Sequence, residues 1–539
     1  MASNEDAAAV AAPARPHIGA YAWYALFVLV LVYIVNFVDR QILSILVGDI
    51  KRDLGVSDAQ IGFLYGTAFA VFYALFGIPL GRLADSWYRG RLMALGLTLW
   101  SSMTVFSGFA TSFGMLAAAR IGVGIGEASA SPAAYSMISD SFPKERRATA
   151  LSIYSSGLYI GGALSLPIGG FVVSHWNATY PDPTIAPLGL VGWQAAFFAV
   201  GLPGLLLALW VLTLREPMRG ASDGMPQPVV RPNAWRDFGN ELVAILPPLT
   251  LLNVARIPGA LGTNLAAFGS VALAGYLLYL LTGDGPQWLA YGIGIYAIFS
   301  WVQSLKHRDP PAYALIWGSP VVVLLATAFG SISFVTYATS FWLPHYVEAT
   351  FYGGGTIPAR YFEGLSAKAE VGLIIGTTAA LSAAAGVILG AYLSDVWRQR
   401  DPRGRIFINM LSVLLPIPIV AFLLTTESLA AFYWVNPLAH LIASAWVGAA
   451  VATLQDLVLP RMRATAGATY ILGTTMVGLA LGPYFAGKMS VLTGSLKLGI
   501  AALYMMPILT LIGLAIGARH LAALEASKVD RARAAGEPI

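Results

Sequence analysis

Four charged side chains stand at positions that a bilayer would enclose. Asp39 and Arg40 end the run Asn36, Phe37, Val38, Asp39, Arg40 inside an apolar stretch, about residues 22 to 47, which is long enough to cross a membrane. Arg120 and Glu127 belong to a second stretch, about 113 to 138, and their spacing puts them on one face of a helix. Charge at membrane depth is expensive, and where it is kept it marks ion pathways, proton relays or substrate sites. Two kinds of chemistry follow. Asp39 and Glu127 are the candidate proton-coupling groups, because a carboxyl exchanges a proton when burial and a neighbouring arginine pull its pKa in opposite directions. Arg40, Arg120 and Glu127 are the candidate substrate contacts, a guanidinium being suited to phosphate or carboxylate through two parallel hydrogen bonds. An anionic substrate that competes for Arg120 is thereby linked to protonation of Asp39 or Glu127.

Helical rise sets the depths. At about 1.5 Å per residue, Asp39 lies about 12 Å and Arg120 about 10 Å from the outer ends of their helices, with Glu127 about 10 Å deeper than Arg120. Asp39 and Arg120 are thus within reach of pairing, either as part of a working site or as a permanent staple between two helices. Arg40 points about 100° away from Asp39 and need not face the same neighbour.

These residues belong to a chain of 539 residues that is 57% hydrophobic and 11% charged, with a mean hydropathy of +0.70. A water-soluble globule carries about a quarter charged residues, so the composition is that of an all-α polytopic membrane protein. The net charge of +5 does not point to nucleic acid, since the basic residues sit in short loops beside apolar spans. With no cysteine and six histidines lacking ligand spacing, no metal site, cofactor or enzymatic nucleophile is expected.

Apolar runs of spanning length lie near 22 to 47, 58 to 83, 91 to 111, 113 to 138, 148 to 174 and 192 to 213, then near 263 to 282, 287 to 305, 312 to 342, 370 to 394, 405 to 424, 434 to 458, 465 to 490 and 496 to 518. That predicts about fourteen transmembrane helices. The basic clusters at Arg89 and Arg91, Lys144 to Arg147, Arg215 and Arg219, Lys306 and Arg308, Arg398 to Arg405, and Arg461 and Arg463 all fall on one side when both termini are cytoplasmic. The expected organisation is a cytoplasmic tail (1–20), a six-helix half (21–214), a cytoplasmic or interfacial linker (215–262), an inserted two-helix hairpin (263–308), a second six-helix half (309–520) and a tail (521–539). The hairpin, which carries no charge within either span, is expected outside the core and facing lipid.

A shift of 316 residues superimposes Arg147 to Ala150 on Arg463 to Ala466, Tyr154 on Tyr470, Gly157 on Gly473, Gly162 on Gly478 and Pro167 on Pro483. Asp85 and Asp395 likewise each close a helix before an Arg-rich loop. Two parallel six-helix repeats are the arrangement of a rocking secondary transporter. Gly81 to Arg91, GRLADSWYRGR, resembles the loop signature of the major facilitator superfamily, and Arg120, Gly124, Gly126 and Ala128 resemble its fourth-helix pattern. Within that superfamily the NFVDR run, the GIGEAS run from Gly124 to Ser129, Gly192 to Gln194, the REPMRG run from Arg215 to Gly220 and the stretch from Pro460 to Pro483 resemble the spinster family of lipid transporters. The resemblance implies a major facilitator fold and a lysophospholipid or sphingoid-phosphate substrate moved by proton-coupled alternating access. Asp85, Arg89, Arg91 and Asp395 are then expected to form conformational gates. A proton-driven drug exporter, a small organic anion carrier and a non-transporting membrane sensor are the alternatives. The second half shows no matching set of intramembrane charges, and its core faces read as Leu, Ala, Gly and aromatic. One wall charged and one apolar suits an amphipathic ligand. The expected partners are that small molecule, protons and membrane lipids, for a monomer in a bacterial inner membrane.

Overall fold

The computed structural model describes residues 19–220, 230, 232–353 and 361–538. The tail read at Met1 to Pro16, residues 221–229 of the linker, and the side chains of Lys144, Glu145, Ala148 and Ala464 lie outside the described set. The described residues are almost wholly helices and the turns between them. In order come α1 (Ala20–Leu54), α2 (Asp58–Ala84), α3 (Arg89–Ser107), α4 (Phe113–Glu127 continuing as Ala130–Ser141), α5 (Lys144–Thr179), α6 (Gly192–Leu212), α7 (Ala260–Thr282) and α8 (Gly285–Arg308). Then come α9 (Pro320–Tyr352), α10 (Ala367–Arg398), α11 (Gly404–Thr425), α12 (Leu429–Asp456), α13 (Pro460–Thr493) and α14 (Leu496–Ala534). Eleven helices among the described residues are long and apolar enough to cross a membrane. The runs read near 91 to 111, 113 to 138 and 287 to 305 are helical too, as α3, α4 and α8, but fall outside those eleven. The last run, read as ending near residue 518, stays helical to Ala534.

Local chemistry starts these helices where the polar turns predict. Ser57 and Gln60 form a capping box at α2, and Ser112, Ser366 and Ser428 cap α4, α10 and α12 by accepting from Met115, Ala369 and Ala431, satisfying backbone N–H groups that no helical turn reaches. Between α6 and α7 the proline-rich segment folds as two short helices, Ala234–Ile245 and Thr250–Val254, rather than one span. Within α13 the stretch Gly473–Leu479 is wound as a π-helix.

The basic loops gather at one end of the bundle, and there the two six-helix bodies hold separate ion-pair clusters. At the opposite end the bodies meet directly, α1 on α9, α2 on α13 and α5 on α10. Thr67 donates to the carbonyl of Ala480 at 2.6 Å, Tyr65 stacks on Phe341 with centroids 4.0 Å apart, and Ser490 donates to Asp58 at 2.6 Å. Lys368 reaches across to Asp49 at 2.6 Å and also to Glu348 at 3.2 Å. Backbones touch where α5 and α10 cross: a Cβ on Gly372 would lie 2.5 Å from the Leu166 carbonyl oxygen. The inserted hairpin lies outside this seam, with α8 packed along α2 and α7 beyond it, exposed along nearly its whole length.

Gly372→Val is expected to destabilise the protein by about 1–3 kcal/mol, the usual range for overpacking a close contact. The same change should raise thiol labelling of a Ser174→Cys variant, because Ser174 pairs with Ser366 at that crossing. Thermal unfolding in detergent and labelling rates measure the two effects.

Candidate functional site

The four intramembrane charges converge. α1 supplies Asp39 and Arg40, and α4 supplies Arg120 and Glu127. Arg40 Nη2 lies 2.6 Å from Glu127 Oε2, with Nε at 3.2 Å from the same oxygen. Its guanidinium is enclosed by aromatic rings, 4.6 Å from the centroid of Phe69, 4.8 Å from Phe37 and 5.2 Å from Tyr73, an arrangement that stabilises the cation as well as desolvating it. Tyr337 from α9 lies in electrostatic reach of the same guanidinium, so the second body contributes to the wall. The expected Asp39–Arg120 pair does not form. Arg120 instead donates from Nε to the carbonyl of Leu64 at 3.3 Å and lies 5.4 Å from the Phe69 ring, leaving Nη2 without a hydrogen-bond partner among the described residues. Asp39, fully buried, faces α3, where Trp100 and Thr104 lie beside it without closing a hydrogen bond to either carboxylate oxygen. The pairing is reversed because Arg40, about 100° round the helix from Asp39, is the residue of α1 that faces Glu127. Two carboxyls and two guanidiniums therefore share one buried site, with one oxygen of Glu127, both of Asp39 and one nitrogen of Arg120 unbonded.

Glycine lets α4 approach closely enough to deliver Glu127. A Cβ on Gly124 would lie 2.5 Å from the Phe69 carbonyl oxygen, and one on Gly126 would lie 2.7 Å from that of Gly96, so this is the tight packing that small residues permit between membrane helices.

The expected gate residues separate into two clusters at the basic end. Arg89 is fully buried and uses every arm of its guanidinium, donating to Glu216 at 2.6 Å, Ser136 at 2.7 Å, the Pro217 carbonyl at 2.7 Å, and Asp140. Arg219 donates to the carbonyls of Ala84 and Trp87 at 2.7 and 2.6 Å, and Asp85, which caps α2, lies in its electrostatic reach. Arg91 stands apart, exposed and stacked over Tyr88 at 4.4 Å. Asp395 accepts from Arg405 at 2.9 Å, while Arg405 and Arg398 both pair with Asp456. Nearby, Arg461 pairs with Asp309 and Glu537, and its hydrogen bonds hold both carboxyls below their usual range. That contribution is present above the ordinary carboxylate pKa and is lost as pH falls through the lowered one.

Several participants escaped the sequence reading. Glu216 lies in the REPMRG run, which carries the family resemblance, Arg219 of the same run counts there only as a basic loop residue, and Asp140 sits near the end of an apolar run. Lys368 and Asp49 lie just beyond the ends of the apolar runs 370 to 394 and 22 to 47, where single charges carry no signal. The second body is also less apolar than its composition suggested: between α9, α11, α12 and α14 a cavity is lined by Thr339, Ser340, Asn436, His440 and Tyr504, with Asn436 Oδ1 and Thr339 Oγ1 unbonded.

Two repeated helical bodies closed at one end, around ionisable groups at membrane depth, define an integral membrane transporter fold. The chain belongs to the major facilitator superfamily, whose family profile matches residues 29–483. It is similar to an MFS-type efflux pump of Mycolicibacterium smegmatis, 28% identical over 498 residues that cover 91% of each chain. Protein spinster of Drosophila melanogaster is 29% identical over 207 residues, 38% of this chain and 32% of that one. Among solved structures, a bacterial homolog of the human lysosomal transporter spinster, in an inward-facing and occupied conformation, superimposes with a TM-score of 0.63 and 25% identity over 95% of this chain and 98% of that one. The chain is thus a spinster-like transporter of the superfamily.

Arg89→Gln is expected to cost about 3–5 kcal/mol, as breaking a buried ion pair does, whereas Arg91→Gln should change stability by less than about 0.5 kcal/mol. Chemical unfolding of the two variants in one detergent distinguishes them.

Proposed function

We propose that this protein is a proton-coupled carrier that moves an amphipathic, lipid-like molecule, a lysophospholipid or sphingoid phosphate, by alternating access. The observation that carries the reading is the buried site of two carboxyls and two guanidiniums in which Asp39 and one arm of Arg120 have no hydrogen-bond partner among the described residues. Asp39 and Glu127 take up and release the proton. Arg120, held by a single backbone contact, is free to receive an anionic head group, and Arg40 does so when Glu127 is protonated and lets it go. The aromatic wall toward α9 suits the rest of an amphipathic molecule. In this reading the basic loops and both termini face the cytoplasm of a bacterial inner-membrane protein, and fourteen helices cross the bilayer: residues 21–214 and 309–520 as six-helix halves, with 215–262 as linker and 263–308 as hairpin. The state described is then inward-facing, its outer end sealed by the contacts around Lys368 and Asp49. The Arg89 and Asp395 clusters brace their own halves and re-form across the cavity mouth when it closes.

A second reading, proton-driven export of drugs, draws on the similarity to the efflux pump along 91% of both chains. Uptake into liposomes under an imposed pH gradient, comparing a lysolipid, a cationic dye and a small carboxylate, separates the two. The lysolipid should be moved at least tenfold faster than the others, and preference for the dye would favour export.

Asp39→Asn should fold normally, and Glu127→Gln, which leaves Arg40 without its carboxylate, should lose about 3–5 kcal/mol of stability; each should lose at least tenfold of gradient-driven transport, with the pH dependence flattened. Arg120→Lys should weaken head-group binding by about tenfold or more, since an ammonium lacks the planar fork. Wild-type affinity in a direct binding assay would make Arg120 a structural residue.

A further inference from the structure

The two six-helix bodies create two lateral seams, α5 against α10 on one side and α2 against α13 on the other, and the structure treats them differently. At the α5–α10 seam the close backbone contacts lie at the end away from the basic loops, where Gly170 meets Lys368, Leu166 meets Gly372 and Ala163 meets Gly376. Toward the basic loops the glycines of both helices serve other neighbours, Gly157 and Gly161 of α5 packing on Tyr33 and Ile34 of α1, and Gly386 and Gly390 of α10 packing on Leu441 and Ala445 of α12, while Leu381, Ile388 and Leu389 of α10 are exposed. On the α2–α13 side the corresponding stretch is covered. Below the contact of Thr67 with Ala480, α8 lies in the groove with Ala297, Trp301 and Leu305 in one buried apolar cluster with Val71, Ala74 and Leu75 of α2 and Leu472 and Met476 of α13.

The filler is fastened at both ends. At the α7–α8 turn Asp284 pairs with Lys488 of α13 at 2.8 Å and accepts from Tyr484 at 2.8 Å, while Lys488 also donates to the Thr282 carbonyl. The edge of the Trp288 ring meets Tyr484 with centroids 5.6 Å apart. At the basic end Arg308 pairs with Glu241 at 2.8 Å, and Glu241 lies 3.6 Å from Arg82 of α2. Tyr296, Ser300 and Gln303 of α8 tie α7 on through Asn264, and α7 exposes apolar side chains such as Leu265, Leu273 and Leu280.

We propose that the inserted hairpin is a lateral seal, which closes the α2–α13 seam to the bilayer and leaves the α5–α10 seam as the side through which a membrane-dissolved amphipathic substrate slides its apolar chain toward the Arg40–Glu127 site. The route rests on the amphipathic reading above; the seal does not. Opening the far end of the bundle must either carry the hairpin with α13 or break Asp284 from Lys488, so the clasp also favours the state in which that end is shut.

The chain has no cysteine, which makes the test direct. Tyr159→Cys on α5, half-buried one turn beyond Ala163 toward the basic loops, reports on the α5–α10 seam, and Met476→Cys, with Val71→Cys as its second reporter, lies under the seal. In liposomes a maleimide dissolved in the bilayer should label Tyr159→Cys at least tenfold faster than either of the others, and adding Asp284→Asn should raise the Met476→Cys rate at least threefold. Equal rates at the two seams, or no response to Asp284→Asn in either buried reporter, would overturn the seal. In a second arm, lysophosphatidylcholine with a diazirine in its chain is photolysed on the full-length protein. Adducts on the α5 and α10 halves near the basic end support the route, and adducts on Val71, Met476 or Tyr291 overturn it. If the maleimide contrast holds while no adduct forms anywhere, the lipid reading and its route fall and the seal stands.

Discussion

Charge neutrality inside hydrocarbon is the constraint on which the rest of this structure depends. Removing a guanidinium and a carboxylate from water is so unfavourable that neither is tolerated at depth without a partner in good geometry. The Arg40–Glu127 pair meets that requirement, and much of the surrounding architecture keeps it met. The rings of Phe37, Phe69 and Tyr73 replace water around the cation. Gly124 and Gly126 let α4 approach until Glu127 is within bonding distance. Asp39 and Arg120 remain incompletely bonded on either side, so a proton or an anion arriving at the site changes which partner each charge prefers.

The two ends of the bundle follow from different physics. Where the bodies meet, contact is through backbone, rings and hydroxyls, with the ion pair of Lys368 and Asp49 spanning the gap. At the basic end each body satisfies its own charges, the arms of Arg89 being wholly occupied within one of them. A contact made of carbonyls and aromatic faces depends little on ionic conditions, whereas clusters of arginine and carboxylate near water weaken as salt rises.

Much of this was legible in the chain because bilayer physics writes strongly on sequence. The apolar runs that form the helices, and the rarity of Asp39, Arg40, Arg120 and Glu127 among apolar neighbours, all showed before any coordinates. Pairing did not, because a choice of 100° around α1 decides whether Asp39 or Arg40 meets α4, and periodicity cannot choose between adjacent residues when both are charged. Asp85 drew notice by standing before arginines, yet it is Arg89 that organises the loop, through Asp140 and Glu216, whose separations of 51 and 127 residues leave no local trace. The polar lining around Asn436 and Thr339 was hidden for a related reason: scattered single polar residues on four helices look like noise until folding brings them to one cavity.

The π-helical stretch Gly473–Leu479 has a consequence for the phase of α13. An α-helix advances about 100° per residue, and a π turn takes in an extra residue without lengthening the hydrogen-bonded path by a full step. The two portions of α13 are therefore out of register as if one were twisted on its axis. Tyr470 on one side comes near Tyr337 and Tyr159, and Ala480 and Pro483 on the other meet Thr67 and Gly62 of α2. Loss of one residue between Gly473 and Leu479 would let that stretch close as ordinary α-helix with both sets of contacting side chains still on their present faces, whereas the same loss outside it would turn one set toward lipid.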